Sequence, residues 1–297
     1  MKFERRCIKS KPIKWTEEEE KKLNILLKSE KVSIGILKEE FPLRTSASIR
    51  SKIRKVRIRE DLFGSSYREV KKEFTNKIAL ELKPASVFDA YAGVGHQTFE
   101  WIKYASTVYA CEIAKNRFNL LYENALKNGF SKVSPYFDKW ISLKKDDKVL
   151  HLFNGDAIKA TAYISVFRCN IDIVDLDTCG STILTIPIYL NMLKPEYMVI
   201  THGEFHSYRF GREDVLRRSL CHKDITSSSF SVNDLEVELE KAVKTISIRS
   251  HNEIKDSFYP KFLDEIWLGK KSQGMLRRLY QIEKPRATSD CLNELLL

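Results

Sequence analysis

The sequence has few cysteines, few glycines and no long hydrophobic run. Its 6 cysteines are scattered, without a C-x-x-C pair or a Cys/His cluster at zinc spacing, so neither a disulfide framework nor a bound metal is expected. No apolar stretch approaches the roughly 20 residues that cross a bilayer, and the start lacks the apolar segment of a secretory signal. We therefore expect a soluble intracellular protein, cytoplasmic in location, without a membrane partner.

An excess of positive charge is the main feature of the composition. The 297 residues include 51 Lys and Arg against 40 Asp and Glu, which gives a formal net charge of +11. With 43% hydrophobic residues, the chain can bury a sizeable core, and this argues against general disorder. A basic protein attracts polyanions, and the simplest such partner is nucleic acid.

Residues 1–60 are predicted to form a separate helical unit. Thr16 is the expected N-cap of a first helix with an acidic first turn, and a second short helix stops at Pro42. A third helix over residues 44–59 carries seven basic residues and no acid. Three short helices with a basic last helix follow the helix-turn-helix plan, in which the last helix enters the major groove.

The stretch W-T-E-E-E…R-T-S-A-S-I-R-S-K-I resembles Myb/SANT-like and related helix-turn-helix modules of DNA-associated proteins over about 45 residues. The resemblance implies contact with nucleic acid, through phosphates rather than bases, because Arg and Lys alone carry little sequence preference. The candidate contact residues are Arg44, Arg50, Lys52, Arg54, Lys55 and Arg57. A solvated helical bundle with a charge run is the alternative.

Residues 61–297 alternate between buried strand patterns and helical patterns. Five strand patterns alternate with helices, and FLDEIWLG and GMLRRLYQIEK form a closing hairpin. This alternation predicts an α/β fold, a doubly wound and mostly parallel sheet of seven strands with an antiparallel end.

Acidic residues follow four successive strand patterns, at the edge where such sheets bind their ligands. They are Asp89, Glu112, Asp156, and the pair Asp175 and Asp177. Crowded acids would repel a pyrophosphate, whereas they suit a ligand that carries a sulfonium and an ammonium group. The pattern therefore points to S-adenosylmethionine.

Two glycines in the loop after the first strand support this interpretation. Gly93 and Gly95 stand one residue apart in a chain with only 11 glycines, while Thr98 replaces the third glycine of a dinucleotide fingerprint. Glu112 lies 17 residues after Gly95 and is placed to hold two ribose hydroxyls. A tight turn without a ligand is the alternative.

The segment D-A-Y-A-G-V-G resembles motif I of class I S-adenosylmethionine-dependent methyltransferases, and the likeness runs from about Phe74 to Lys284. It implies the seven-stranded, Rossmann-like methyltransferase sheet, with Glu112 on the ribose and Gly155-Asp156-Ala157 at the adenine. The implied cofactor-binding residues are Asp89, Tyr91, Ala92, Gly93, Gly95, Thr98, Glu112, Asp156 and Ala157. A structural α/β domain is the alternative.

The segment D-L-D-T-C-G-S, residues 175–181, is similar to the D-x-D-P-[FY]-G-S element of tRNA guanine-N2 dimethyltransferases and, more distantly, to [DNS]-P-P-[YFW] of DNA amino-methyltransferases. In both families a polar side chain holds the exocyclic amine while a ring stacks on the extruded base. The likeness implies catalytic roles for Asp175 and Asp177. Thr178 and Cys179 replace the proline and the ring, so the ring must come from elsewhere. The candidates are Tyr91, His202, Phe205, His206 and Tyr208.

Cys179 leaves a second chemistry open. Methylation of cytosine carbon-5 uses a thiolate that adds to the ring, and Cys179 follows the right strand for this role. The usual Pro-Cys pair is absent, however, and a buried structural cysteine is the alternative.

The stretch from His202 to Phe230 is predicted to be irregular, with Arg209 and Arg212 among aromatic residues. Cations for phosphates and rings for bases suit a nucleic-acid groove, and a loose surface loop is the alternative. Together the patterns predict a methyltransferase that modifies a base in nucleic acid. DNA is favoured because of residues 1–60, and tRNA is close behind because of residues 175–181 and LRRLYQIEKP. The alternatives are an inactive DNA-binding regulator and a small-molecule or protein methyltransferase.

Overall fold

The computed structural model describes most of the chain, in two compact units, Met1–Ser65 and Ser66–Leu297. The described residues are 14–27, 33–59, 67–135, 138–178, 180–220, 231–249, 259–269 and 274–283, with backbone only for 54–59, 248–249 and 259. The division falls close to the boundary predicted at residue 60. Among these residues, no helix combines the length and the apolar character needed to span a bilayer.

The described part of the N-terminal unit contains three helices around a small core. They are α1 Glu17–Leu27, α2 Ile34–Glu40 and α3 Ser46–Arg59. The core consists of Leu23, Leu37, Phe41 and Ile49. Thr16 caps α1 as predicted: its hydroxyl accepts from the Glu19 amide at 3.2 Å, and its own amide donates to the Glu19 carboxylate at 2.8 Å. The three predicted helices are therefore present.

Within the described residues, the second unit holds a sheet of nine strands, not the seven predicted. The strands are β1 Ser86–Asp89, β2 Thr107–Glu112, β3 Ser131–Val133, β4 Trp140–Lys145, β5 Lys148–Asn154, β6 Ile173–Asp177, β7 Tyr197–His202, β8 Tyr259–Leu268 and β9 Met275–Glu283. Their order is β3-β4-β5-β2-β1-β6-β7-β9-β8. The central strands β5, β2, β1, β6 and β7 are parallel, and both ends of the sheet are antiparallel.

Helices cover both faces of the sheet. They are α4 Arg68–Leu82, α5 His96–Trp101, α6 Lys115–Lys127, α7 Ala157–Val166, α8 Ile186–Leu193, α9 Glu204–Arg209, α10 Glu213–Leu220 and α11 Val232–Arg249. Side chains of α4, α5 and α6 form the core on one face, and side chains of α7, α8, α10 and α11 form the core on the other. The predicted doubly wound arrangement is therefore confirmed.

The winding reverses between β1 and β6. The chain passes from β1 through β2 to β5 on one side and then returns to β6 and β7 on the other. Because the parallel strands share a direction, β1, β2, β5, β6 and β7 all end at one edge, which we call the carboxyl edge. In sheets of this kind ligands bind there, beside the reversal point.

Two regions differ from the sequence prediction. The missed strands β3 and β4 extend the sheet beyond β5, and all three residues of β3 are exposed, so no buried alternation marks it. The stretch after β7, predicted to be irregular, contains α9 and α10. In α10 only Leu216, Ser219 and Leu220 are buried, so the apolar spacing that would predict a helix from the sequence is weak.

Candidate active site

Hydrogen bonds join the loops that follow β1, β2 and β5. The amide of Ala92 donates to the carbonyl of Cys111 at 2.9 Å, and the amide of Gly155 donates to the carbonyl of Glu112 at 3.2 Å. The Asn154 side-chain amide donates to the same Glu112 carbonyl at 2.8 Å. These bonds hold three strand ends together as one continuous part of the carboxyl edge.

The two neighbouring glycines serve different purposes. Gly95 has φ +99°, and a Cβ on it would lie 2.4 Å from the Phe99 ring and 2.7 Å from Leu121, so Gly95 lets the loop pack on α5 and α6. Gly93 has φ +59°, and a Cβ there would meet nothing within 4 Å. Gly93 therefore borders open space that a ligand could occupy, whereas Gly95 is a packing residue.

Glu112 and Asp156 each use one oxygen to stabilise the fold. Glu112, which is 4% exposed, accepts from the Ala114 amide at 2.6 Å and pairs with Arg117 at 2.9 Å, both through Oε1. Asp156 caps α7, where its Oδ1 accepts from the amides of Ile158 and Lys159 at 2.9 and 3.3 Å. In the described structure, the second oxygen of each acid is left for a ligand. Ala157, the next predicted contact, is almost fully buried.

Asp89 ends β1 at the carboxyl edge, but its side chain is buried. It is 1% exposed; its Oδ2 accepts from the Thr98 hydroxyl at 2.6 Å, and its buried Oδ1 has no hydrogen-bond partner among the described residues. Burial and then the charge of Asp175 raise the pKa of Asp89 to about 8. Asp89 is therefore protonated at neutral pH. The prediction that Thr98 contacts a ligand is wrong, because Thr98 is fully buried and holds Asp89.

Asp175 is a structural residue. Arg277 donates from Nη1 to its Oδ1 at 3.0 Å and from Nη2 to its Oδ2 at 2.6 Å, and Trp101 Nε1 donates to Oδ2 at 2.7 Å. Asp175 and Arg277 are both 0% exposed, and Arg277 also donates to Thr201 at 2.9 Å. The prediction that Asp175 contacts substrate is wrong, because its carboxylate is enclosed by these donors.

Asp177 is the predicted catalytic acid that remains accessible. Its side chain is 15% exposed, and Lys71 Nζ of α4 lies 2.7 Å from both carboxylate oxygens. Burial opposes its charge, but the cations Lys71 and Arg277 outweigh burial and lower the pKa of Asp177, which is therefore ionised at neutral pH. Lys71 precedes Asp177 by 106 residues, so no local sequence signal identified it.

The loop after β6 has a closed turn where the methyltransferase families that residues 175–181 resemble have proline. The Thr178 hydroxyl donates to the Gly180 carbonyl at 2.6 Å and accepts from the Gly180 amide at 3.2 Å. Gly203, at the start of α9, packs on this loop, since a Cβ on it would lie 2.5 Å from the Gly180 oxygen. Sequence reasoning missed Gly203. Cys179 lies outside the described residues.

Two of the five candidate stacking rings are excluded by burial. His202 is 0% exposed and hydrogen-bonds through Nε2 to the Tyr280 hydroxyl at 3.0 Å, and Phe205 is 4% exposed and packs on Trp267. Tyr91 is half-buried, with its hydroxyl 3.1 Å from that of Tyr189, and burial raises its pKa. The two others, His206 and Tyr208, are also half-buried.

The predicted nucleic-acid residues differ in their exposure and contacts. Arg44 is 5% exposed, donates to Glu19 at 2.8 Å and lies over the Trp15 ring, so it is structural and the prediction for it is wrong. Lys52 pairs with Glu20, and its side chain is 15% exposed. Helix α3 includes Arg54, Lys55 and Arg57, but the structure describes only the backbone of these residues. The exposed residues are Arg50, Arg209 and Arg212.

The fold resembles that of solved methyltransferase structures. Trm1 from Pyrococcus horikoshii, in complex with S-adenosyl-L-methionine, matches at a TM-score of 0.55 and 13% identity, covering 72% of this chain and 54% of that one. Trm5b from Pyrococcus abyssi matches at 0.40 and 12%, covering 72% and 48%. The O-methyltransferase from Bacillus cereus, in complex with SAH, matches at 0.44 and 9%, covering 71% and 80%.

The likeness to Trm1 shows the fold. The second unit has the Rossmann-like α/β fold found in methyltransferases, and the chain spans about half the length of the Trm1 chain that it matches. No family model matches the sequence, and a search of curated proteins finds no match.

Replacing Asp89 by asparagine is expected to change how stability depends on pH. Because the pKa of Asp89 is about 8 in the fold against an ordinary value of 3.8, the folded protein keeps a proton that the unfolded chain releases between these values. The stability that the proton on Asp89 contributes is fully present below the ordinary pKa and is lost as the pH rises through about 8.

Urea unfolding between about pH 5 and pH 8 measures this effect. The free energy of unfolding of the wild type should fall with pH relative to that of Asp89→Asn. Asp146→Asn, at an exposed turn, is the matched control and should follow the wild type. Parallel curves for the wild type and Asp89→Asn would contradict the assignment of a protonated Asp89.

Replacing Gly203 by alanine should force the β6 loop away from α9. The added methyl would lie 2.5 Å from the Gly180 oxygen, a backbone atom that has no side-chain freedom to yield. Overpacking of this kind costs roughly 1–3 kcal/mol, to be measured by urea unfolding. Gly180→Ala is the control, because a Cβ there meets nothing within 4 Å. Equal losses in the two variants would refute the close approach.

Proposed function

We propose that the chain transfers a methyl group from S-adenosylmethionine to an amine of a base in nucleic acid. The observation that carries this proposal is the gathering of Glu112, Asp156 and Asp177 at one edge, beside the open space at Gly93. Carboxylates at this edge favour a ligand with a sulfonium and an ammonium group and disfavour a pyrophosphate. The cofactor bound by Trm1, a protein of similar fold, agrees with this choice.

The described side chains fit such a cofactor. Oε2 of Glu112 is available to accept from ribose hydroxyls, because the two protein contacts of this carboxylate use Oε1. Asp156 and the start of α7 are proposed to border the adenine, and the loop at Gly93 the methionine portion. When bound, S-adenosylmethionine supplies an electrophilic methyl group on its sulfonium.

Asp177 is proposed to orient the target amine. A carboxylate offers about four lone-pair positions. On Asp177, Lys71 uses two and the Thr201 side chain also hydrogen-bonds, so one position is left for an amine N–H without displacing Lys71. Because the pKa of Asp177 is lowered, it is a weak base and acts through a hydrogen bond that directs the nitrogen lone pair at the methyl group. Catalysis on this account is mainly positioning.

RNA is the substrate class that we propose. The comparisons do not support the preference for DNA, and the D-L-D-T-C-G-S element favours the alternative, a tRNA guanine-N2-type reaction. The N-terminal unit is proposed to hold the nucleic acid through phosphates. Of the predicted contact residues in this unit whose side chains are described, Arg50 is the exposed one. Lys52 is expected to contribute less, because the carboxylate of Glu20 pairs with it and compensates its charge.

Incubation of the purified chain with labelled S-adenosylmethionine and either unmodified tRNA or duplex DNA tests the proposal. Nucleoside mass spectrometry should find the label on an amine of tRNA. Asp177→Asn should lower kcat by about a hundredfold, because the amide can donate to the amine and misdirect it. Asp147→Asn, on the β4–β5 turn, is the control and should be active.

The other outcomes are also informative. Label in DNA alone would replace the proposed substrate class. Cofactor binding without methyl transfer to either nucleic acid would overturn the proposed methyltransferase activity and favour an inactive regulator. The replacement of proline by Thr178 and the Lys71–Asp177 ion pair support that alternative.

A further inference from the structure

The turn between α9 and α10 presents an aromatic ring to solvent. Phe210 is 58% exposed, and its neighbours Arg209, Gly211 and Arg212 are exposed as well. Gly211 has φ +60°, and a Cβ on it would meet nothing within 4 Å, so the turn is open around the ring. We call residues 206–212 the Phe210 turn.

Cations and a histidine surround this ring. The guanidinium carbons of Arg209 and Arg212 lie 5.0 and 5.9 Å from the ring centroid, and the His206 ring lies 4.6 Å away. Partial burial and then the two guanidinium charges lower the pKa of His206, which is therefore neutral at pH 7. Its Nδ1 can accept from Arg209 Nη2 at 3.0 Å, which orients that guanidinium beside the ring.

The acids next to this turn have partners inside α10. Glu213 pairs with Arg217 at 3.1 Å, and Asp214 pairs with Arg218 at 3.0 Å. Each pair is one helical turn apart, so the acids of the first turn are compensated along their own helix. The Phe210 turn therefore combines positive charge with an exposed aromatic ring.

The position of the turn relates it to the loop after β6. Helix α9 starts directly after β7, and Gly203 at its start is in contact with Gly180. Phe210 follows Gly203 by seven residues, which at about 1.5 Å per residue places it roughly 10 Å farther along α9. Helix α9 therefore begins at the carboxyl edge, where the methyl-transfer site is proposed.

We propose that the Phe210 turn binds an unpaired base of the nucleic-acid substrate, next to the base that is methylated. The ring of Phe210 stacks on the base, and Arg209 and Arg212 contact the flanking phosphates. Such rings accept any base, because every base has a π-face, and the cations follow the backbone. This inference rests on the proposed function, since it names a surface for the same substrate.

Fluorescence anisotropy with a labelled single-stranded RNA of about 12 nucleotides, and with DNA of the same sequence, tests the proposal on the full chain. Phe210→Ala should weaken binding by roughly five- to 150-fold, without a change in the salt dependence. Arg212→Ala should reduce the slope of log affinity against log salt by about 0.7. Phe167→Ala is the matched control, because Phe167 is 46% exposed at the far end of α7.

A second readout locates the contact directly. The same RNA carrying 4-thiouridine, crosslinked by ultraviolet light, should attach to the peptide that contains Phe210. Stronger binding of the RNA than of the DNA would support RNA as the substrate class. Equal binding would show that the Phe210 turn contacts bases and phosphates and does not recognise the 2′-hydroxyl groups of RNA.

The two proposals fail differently. Wild-type affinity in Phe210→Ala together with no crosslink at this peptide would overturn the Phe210 turn as a binding surface, while methyl transfer by the wild type would leave the proposed function intact. Absence of cofactor binding, with RNA binding that depends on Phe210, would overturn the proposed function and keep the surface. Failure of the wild type to bind either oligonucleotide would overturn the surface.

Discussion

The buried ion pair between Asp175 and Arg277 is the interaction on which the arrangement of the carboxyl edge depends. It joins β6 to β9 across β7, and both side chains are 0% exposed. Removing one partner of such a pair leaves an uncompensated buried charge, at a cost of about 3–5 kcal/mol. Arg277 pairs with Asp175 in the interior. Asp177, on the same face of β6, is the acid that remains near the surface.

The charges around this pair set the chemistry of the edge. Asp89 and Asp175 are register partners on adjacent strands, and Asp177 follows on the same face, while Arg277 and Lys71 supply two positive charges against these three acids. The third acid therefore takes a proton, and this is Asp89, whose pKa is raised to about 8. A cationic ligand at Gly93 would supply the positive charge that balances an ionised Asp89. A sulfonium is therefore a better match than a phosphate.

Local patterns in the sequence predicted the elements but not their side-chain partners. The strand β1 ends at Asp89, an acid expected to follow a strand pattern, and Thr16 caps α1 as predicted. Lys71 with Asp177, and Gly203 with Gly180, meet only through the topology of the sheet, and no periodicity records such contacts. The glycines at 93 and 95 look alike in the sequence, yet one packs on two side chains and the other faces open space.

Calorimetric titration of the purified chain with S-adenosylmethionine, at pH 7 in two buffers of different ionisation enthalpy, tests the central claim most directly. The account predicts saturable binding with a heat that depends on the buffer, because the cation lowers the pKa of Asp89 and releases its proton. S-adenosylhomocysteine lacks the sulfonium charge, so its binding should release fewer protons. Absence of saturable binding by either compound would contradict the claim that these carboxylates hold a cationic methyl donor.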